Sequence, residues 1–179
     1  MRCLYCSNNN YFGTHISSPL FNFQIMRKVI LLTIFTLNVV FAMAQTKIYT
    51  GNSSSYSDCL YTVNDEKVYR GNSTSYSDCR YTFNDGKVYK GNSTSYSDCL
   101  FTIHGNKIYA GNSTSYSDCL YTIGEGKIYR GNSTSYSDCL LTVEKNKVYR
   151  GHSTNYSDCI ATIDGIVKYA LVAVLIGPY

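Results

Sequence analysis

The sequence predicts an all-β repeat protein made of six β-hairpins. Three observations support this: a 20-residue repeat, two strand-like segments in each repeat, and a composition with 19 Tyr, 13 Gly and only 2 Pro in 179 residues. The repeat reads K-[VI]-Y-x-G-[NH]-S-[ST]-[SN]-Y-S-D-C-x-x-T-[VIF]-x-x-x. Its six copies begin at Lys47, Lys67, Lys87, Lys107, Lys127 and Lys147. A fixed short period is the signature of a repeat architecture.

Each repeat predicts one antiparallel hairpin. Residues 59–63 and 67–70 are rich in β-branched and aromatic side chains, as strands usually are. Three residues, 64–66, separate them. Gly or Asn ends this gap in most repeats, which favours a three-residue loop with a left-handed last residue. The longer segment 71–78 then connects one hairpin to the next.

Strand alternation predicts which side chains are buried. If Val63 pairs with Lys67, one face of the hairpin is inward and the other is partly covered. The residues expected on the inward face are Cys59, Tyr61, Val63, Tyr69 and Gly71. Those expected on the other face are Leu60, Thr62, Val68 and Arg70.

Two arrangements of the hairpins are possible. A single hairpin is marginal in water, so six of them must either close into a ring or stack in a row as a solenoid. The apolar run 166–176 suits a plug in a ring or an end cap in a row. Because an exported chain must bury this run, closure is favoured.

The repeat sequence resembles that of the bacterial β-flower proteins, in which β-hairpins are arranged like petals around a shallow barrel. The resemblance rests on units of the form G-N-S-T-S-Y-S-D-C-L-Y-T-[VI]-x-x-x-K-[VI]-Y, together with an apolar C-terminal run, and covers residues 47–176. It implies a radial, closed all-β fold. The family has no established catalytic residues, so it implies none here.

The N-terminal region predicts export. Met26, Arg27 and Lys28 open a positive region, an apolar run follows, and Ala42-Met43-Ala44 matches a cleavage site. Residues 26–44 are therefore expected to be a signal peptide cleaved after Ala44, which predicts a secreted or periplasmic chain. Residues 1–25 are interpreted as a misassigned start or a disordered lead. Residues 45–179 are expected to form one repeat domain.

The charge balance argues against nucleic acid as a partner. The net charge is +4, but three of the 16 basic residues and none of the 12 acidic residues precede Gln45. The remaining 13 basic and 12 acidic residues leave only +1, too little for a basic binding field.

The apolar run 166–176 is also shorter than the roughly 20 residues of a spanning helix.

Cysteine recurs once in each repeat, at Cys59, Cys79, Cys99, Cys119, Cys139 and Cys159. Small buried strand residues are the favoured interpretation, with pairwise disulfides as the alternative. The recurring aspartates that precede these cysteines are interpreted as turn caps, and the recurring lysines as solvating, edge-protecting charges. No metal, cofactor or catalytic residue is predicted, because the histidines His15, His104 and His152 occupy unrelated positions.

The loop tyrosines are the best candidates for a ligand-binding surface. They are Tyr56, Tyr76, Tyr96, Tyr116, Tyr136 and Tyr156, joined by Asn52, Asn72, Asn92, Asn112 and Asn132. A tyrosine ring offers a flat face and a hydroxyl, which suit glycans or protein partners. The alternative, slightly favoured on the sequence alone, is that each ring packs beneath its own loop.

The sequence therefore predicts a non-enzymatic exported protein that acts as a binding or interaction module at the cell envelope. A glycan or an envelope protein is the expected partner. A purely structural, self-associating scaffold without a ligand is the alternative.

Overall fold

The computed structural model describes residues 45–178. Within them lie twelve strands and one α-helix. The strands are β1 (Thr46–Thr50), β2 (Cys59–Asn64), β3 (Lys67–Arg70), β4 (Cys79–Asn84), β5 (Lys87–Lys90), β6 (Cys99–His104), β7 (Lys107–Ala110), β8 (Cys119–Gly124), β9 (Lys127–Arg130), β10 (Cys139–Glu144), β11 (Lys147–Arg150) and β12 (Cys159–Asp164). The helix α1 is Tyr169–Ile176. The predicted lead 1–25, signal peptide 26–44 and His15 lie outside the described residues.

The strands form a closed antiparallel barrel, which confirms the ring and excludes the row. Each strand pairs with its neighbours in the chain, and β1 pairs with β12 as well as β2. Lys47 opposite Asp164 and Ile48 opposite Ile163 are part of this closing register. Closure removes the free edges that a row of hairpins would expose.

The hairpin turns are one residue shorter than the sequence predicted. Asn64 pairs with Lys67 and Val63 with Val68, so only residues 65 and 66 form the turn. The first residue of each turn has a positive φ, as at Asp65 (φ 53°) and Lys145 (φ 56°), and in two turns the second residue, Gly86 or Gly126, has a positive φ as well. Two-residue turns with positive φ match the right-handed twist of the flanking strands, which is why they are preferred over the longer loop.

The predicted inward face was therefore partly wrong. Tyr61 and Val63 do pack with the central apolar cluster, but Val68 lies there with them, and Tyr69 does not. Tyr69 is buried on the outer face, opposite Thr62 in β2 and Cys79 in β4.

A β-bulge in each repeat explains why cysteine also lies on the outer face. Between β3 and β4, Val68 pairs with Tyr81 whereas Tyr69 pairs with Cys79, so Arg80 is the extra residue. The extra residue reverses the alternation, so that Cys79 and Tyr81, two positions apart, face opposite sides. Simple period-two counting from the sequence cannot detect such a reversal.

The barrel interior is filled by side chains and by α1. The central layer consists of six β-branched residues that are fully buried: Ile48, Val68, Val88, Ile108, Ile128 and Val148. The helix is buried over five consecutive residues, Leu171 to Leu175, as expected for a helix enclosed on all sides. Tyr169 lies beside Gly126 in the β8–β9 turn, and Gly177 lies against Tyr121 towards the other end of β8. The predicted plug is thus confirmed for the helical part of the run 166–176, whereas Ile166 at its start is 95% exposed.

Candidate binding surface

Each connection between hairpins is held in shape by its own polar side chains. In the loop between β3 and β4, Gly71 has φ +61°, and its carbonyl accepts a 2.6 Å hydrogen bond from Thr62 Oγ1. Ser73 Oγ donates to Asp78 Oδ2 (2.5 Å), and Ser75 N donates to Ser73 Oγ (3.0 Å). The recurring aspartate therefore stabilises the loop internally, as its interpretation as a turn cap expects.

The loop asparagines connect each loop to the one before it. Asn92 Nδ2 donates to the Tyr76 carbonyl (2.8 Å), and Asn92 Oδ1 accepts from Lys67 Nζ (2.7 Å). The same pair of contacts recurs at Asn112 and Asn132. The predicted candidates Asn72, Asn92, Asn112 and Asn132 thus bind neighbouring loops through their amides.

This linkage also crosses the point where the barrel closes. Asn52 Nδ2 donates to the Tyr156 carbonyl (2.9 Å), and Asn52 Oδ1 accepts from Lys147 Nζ (2.5 Å). Residues from the first and last repeats therefore reproduce the contact made between consecutive repeats. At the following junction Asn72 still reaches the Tyr56 carbonyl, but its Oδ1 is buried without a hydrogen-bond partner.

The loop tyrosines are exposed rather than packed beneath their loops, so the slightly favoured sequence interpretation was wrong. Their side chains are between 75% and 79% accessible in all six loops. The physical reason is that Ser, Asp, Asn and Lys already satisfy the loop, which leaves no apolar space beneath it. The six rings form a repeated aromatic surface around the outside of the barrel.

A lysine ammonium lies over most of these rings. Lys67 Nζ is 5.9 Å from the centroid of Tyr76, and Lys147 Nζ is 5.3 Å from that of Tyr156. Equivalent contacts occur at Tyr96 and Tyr116. Four of the six recurring lysines are therefore half-buried partners of Asn and Tyr rather than the edge-protecting charges expected from the sequence.

One loop departs from this pattern. His152 occupies the place of the asparagine, and its Nε2 lies 2.9 Å from the Tyr136 carbonyl. Its ring stacks on Tyr136 with centroids 3.8 Å apart and planes 8° apart. His152 thus keeps the link between loops and places an imidazole ring against Tyr136, which is still 77% exposed.

The six recurring cysteines are unpaired in the structure, and three of them, Cys79, Cys119 and Cys159, are buried, whereas Cys59, Cys99 and Cys139 are half-buried. They lie on the outer face beneath the loops, where Cys139 Sγ is 3.4 Å from the Gly151 carbonyl and 3.6 Å from that of Leu141. Burial raises the pKa of the Cys139 thiol, against smaller opposing effects of Thr142, Lys127 and Leu141. A thiol held neutral in this way is a poor nucleophile.

Sequence reasoning missed a second polar feature, at the barrel mouth below the long loops. Arg70 is paired with Tyr61, so it extends from the inward face at the end of β3. Arg80, the bulge residue of β4, borders the same cavity as Arg70. The sequence contained one indication of this feature. Arg80 is the one charged residue among six equivalent positions, where the other repeats have Leu or Ile.

Across positions 45–178, no three His, Cys, Asp or Glu side chains are grouped so that they could hold a metal ion. None of the helices in that part of the chain has the length and apolarity needed to cross a membrane.

The fold and the site together define a class: a closed six-hairpin barrel that carries the same loop surface six times. The chain belongs to the family of 6-fold beta flower proteins, whose family model matches residues 32–124 and 101–171. The resemblance seen in the repeats is thereby confirmed. No curated protein and no solved structure matches the chain.

Proposed function

We propose that this chain is a non-enzymatic, exported binding protein whose six tyrosine-bearing loops hold a repeating glycan of the cell envelope. The observation that carries the proposal is the exposure of the tyrosine in all six loops, at 75% or more. Tyrosine is among the residues enriched at binding hot spots, and here an exposed tyrosine is presented by every repeat.

The loops are also preorganised for binding. The backbone of each tyrosine is fixed by a hydrogen bond to its carbonyl from the next loop, as Asn92 does for Tyr76. The lysine above the ring limits its rotation. A ligand that stacks on such a ring therefore loses little additional side-chain entropy, which raises affinity.

A polymer of sugars suits this arrangement better than a single small molecule. Tyrosine presents an apolar face to the C–H surface of a sugar ring and a hydroxyl to its polar groups. Each site is shallow, as in the groove bordered by Tyr56, Asn72 and Ser73. Shallow sites bind weakly one at a time, but equivalent sites on one rigid barrel gain by multivalency when the ligand repeats as well.

We propose binding and not catalysis because the loops repeat one another. Enzymes need groups in different environments, whereas the six loops supply the same Tyr, Asn, Ser and Asp in the same geometry. The proposed place of action, outside the cytoplasm, rests on the signal-like residues 26–44.

Binding of the purified chain to a glycan array tests the proposal. Replacing all six loop tyrosines by Ala should abolish binding to polymeric glycans, whereas Tyr→Phe at the same positions should retain most of it because the ring face is preserved. Replacing only Tyr76, Tyr116 and Tyr156 should give an intermediate loss. Binding that is unchanged by all six Ala substitutions would overturn the proposal.

The array also separates glycan binding from the scaffold alternative. If the wild-type chain binds no glycan but self-associates in sedimentation velocity, and the six Ala substitutions abolish that association, the tyrosines serve contacts between copies. Circular dichroism of each variant verifies that the barrel is retained.

A further inference from the structure

The mouth of the barrel is not equally filled around its circumference. Six residues at equivalent inward positions line it: Tyr61, Tyr81, Phe101, Tyr121, Leu141 and Ala161. The last four are buried, at no more than 8% exposure, whereas Tyr61 and Tyr81 are only half-buried. At the end of α1, Gly177 lies against the Tyr121 side chain.

A cavity of about 450 Å³ lies beside Tyr61 and Tyr81. It is lined by Leu60, Tyr61, Arg70, Arg80 and Tyr81. The lining combines two cations, two aromatic rings and one aliphatic side chain, and it includes no acidic residue. This volume is in the range of small-molecule pockets.

Arg80 is the residue that makes the cavity distinctive. Leu100, Leu120, Leu140 and Ile160 occupy the same position in other repeats and pack against the apolar core. An arginine there gives up that packing. Arg70 and Arg80 are both solvent-exposed, and none of the described residues that line the cavity with them is acidic. Two guanidinium groups that border one cavity without an acidic partner are suited to bind an anion.

We propose that this cavity binds a small organic anion, with a phosphate or carboxylate group held by Arg70 and Arg80 and a ring-shaped apolar body placed against Tyr61 and Tyr81. Guanidinium groups bind such oxyanions in a bidentate manner, and they also stack on aromatic rings. This site is at the barrel mouth and is made of a single pair of repeats. It is therefore independent of the loop tyrosines and of the glycan proposal.

Titration calorimetry of the full-length chain tests the site, with phenyl phosphate as the probe and inorganic phosphate and phenol as comparisons. Phenyl phosphate should bind at one site per chain and more tightly than either comparison, because only it carries both halves of the proposed ligand. Equal affinity for inorganic phosphate would overturn the role of the two tyrosines. Equal affinity for phenol would overturn the role of the arginines.

Two variants make the test specific. Arg80→Leu restores the residue found in other repeats, so it should fold normally, and it should weaken binding about tenfold or more. Arg130→Ala is the matched control, because Arg130 is equivalent to Arg70 in another repeat but does not line the cavity. It should change affinity by less than about twofold. An equal loss in both variants would show a general effect of positive charge and overturn the site.

Binding to phosphatidylglycerol vesicles is the last measurement, because a lipid headgroup carries the same phosphate group as a soluble ligand. If the chain binds these vesicles in an Arg80-dependent manner but does not bind phenyl phosphate, the proposal of a soluble ligand is wrong. Binding of phenyl phosphate with no Arg80-dependent binding of vesicles supports it.

Discussion

His152 stacks face to face on Tyr136, with the ring centroids 3.8 Å apart. At this position the other repeats have asparagine, whose amide binds both a tyrosine carbonyl and a lysine. Asn72 is the exception, because it binds only the tyrosine carbonyl. His152 retains the bond to the Tyr136 carbonyl and adds an aromatic contact. The substitution thus preserves the connection between loops by different chemistry.

We expect His152→Asn to remove the stacking without breaking the ring of loops. The Tyr136 ring protons should lose the upfield shift caused by the neighbouring imidazole, which NMR of the two proteins measures directly. The stability should change by less than about 0.5 kcal/mol, because the new amide restores the bond made in the other loops. His152→Ala is the control, and it should be less stable than His152→Asn because it leaves the Tyr136 carbonyl without that partner.

We expect Gly71→Ala to destabilise the barrel by about 1–2 kcal/mol, because Gly71 has φ +61° and alanine is strained there. An added Cβ would come no closer than 3.8 Å to the Cys59 carbonyl, so the cost is one of backbone conformation and not of collision. Gly124→Ala is the matched control, since its backbone is not left-handed and its Cβ would touch Tyr129 at 3.9 Å. Urea denaturation of both variants measures their free energies of unfolding. An equal loss of stability in the two variants would contradict a cost that comes from the left-handed backbone at Gly71.

We expect Thr82→Val to cost about 1–2 kcal/mol in the free energy of unfolding. The Thr82 hydroxyl is buried and donates a 2.7 Å hydrogen bond to the Gly91 carbonyl, which anchors the following loop to the barrel. Valine fills the same space without the donor. Thr82→Ser keeps the hydroxyl and should lose less; thermal denaturation of the two variants compares them, and the reverse order would count against a role for this bond.

We expect Val174→Asp to unfold the barrel, because Val174 is fully buried and a carboxylate there has no partner in an apolar interior. Ile166→Asp is the control, because Ile166 is 95% exposed, and it should leave the stability nearly unchanged. Circular dichroism and dye binding report the outcome. A stable barrel in the Val174→Asp protein would show that α1 is dispensable as a plug.

Cys139 leads to a prediction about pH. Burial raises the pKa of its thiol in the folded state, so the unfolded chain loses this proton first as the pH rises. The stability difference between the wild type and Cys139→Ala should therefore move against the wild type as the pH rises from about 8 to 10. Denaturation series at several pH values measure it. A difference that does not change with pH would contradict a buried neutral thiol.

Much of the architecture could be predicted from the repeats alone. The 20-residue period, the strand-like segments and the short gap between them determine six antiparallel hairpins, because these signals depend on neighbouring residues only. Most of the apolar run at the end of the chain was expected to be buried, and its residues 171–175 form the plug. The loop tyrosines were identified as a candidate surface for the same local reason, namely that they recur in a polar loop.

The rest depended on contacts between distant residues. The bulge that turns Cys79 outward while Tyr81 faces inward follows from pairing with β3 and leaves no trace in the alternation of β4. The Tyr76 carbonyl accepts a hydrogen bond from Asn92, which comes from the following repeat, so a single repeat does not determine this contact.

By itself the sequence determined what each repeat is, since twenty residues carry their own turn, strands and loop. Only the tertiary structure decided that β1 meets β12, that α1 occupies the interior, and that Arg70 and Arg80 border one cavity. The physical reason is that identical units have identical local preferences. The closure of the barrel and the position of α1 inside it depend on the whole chain. They give the two repeats that carry Arg70 and Arg80 an environment that the other repeats do not share.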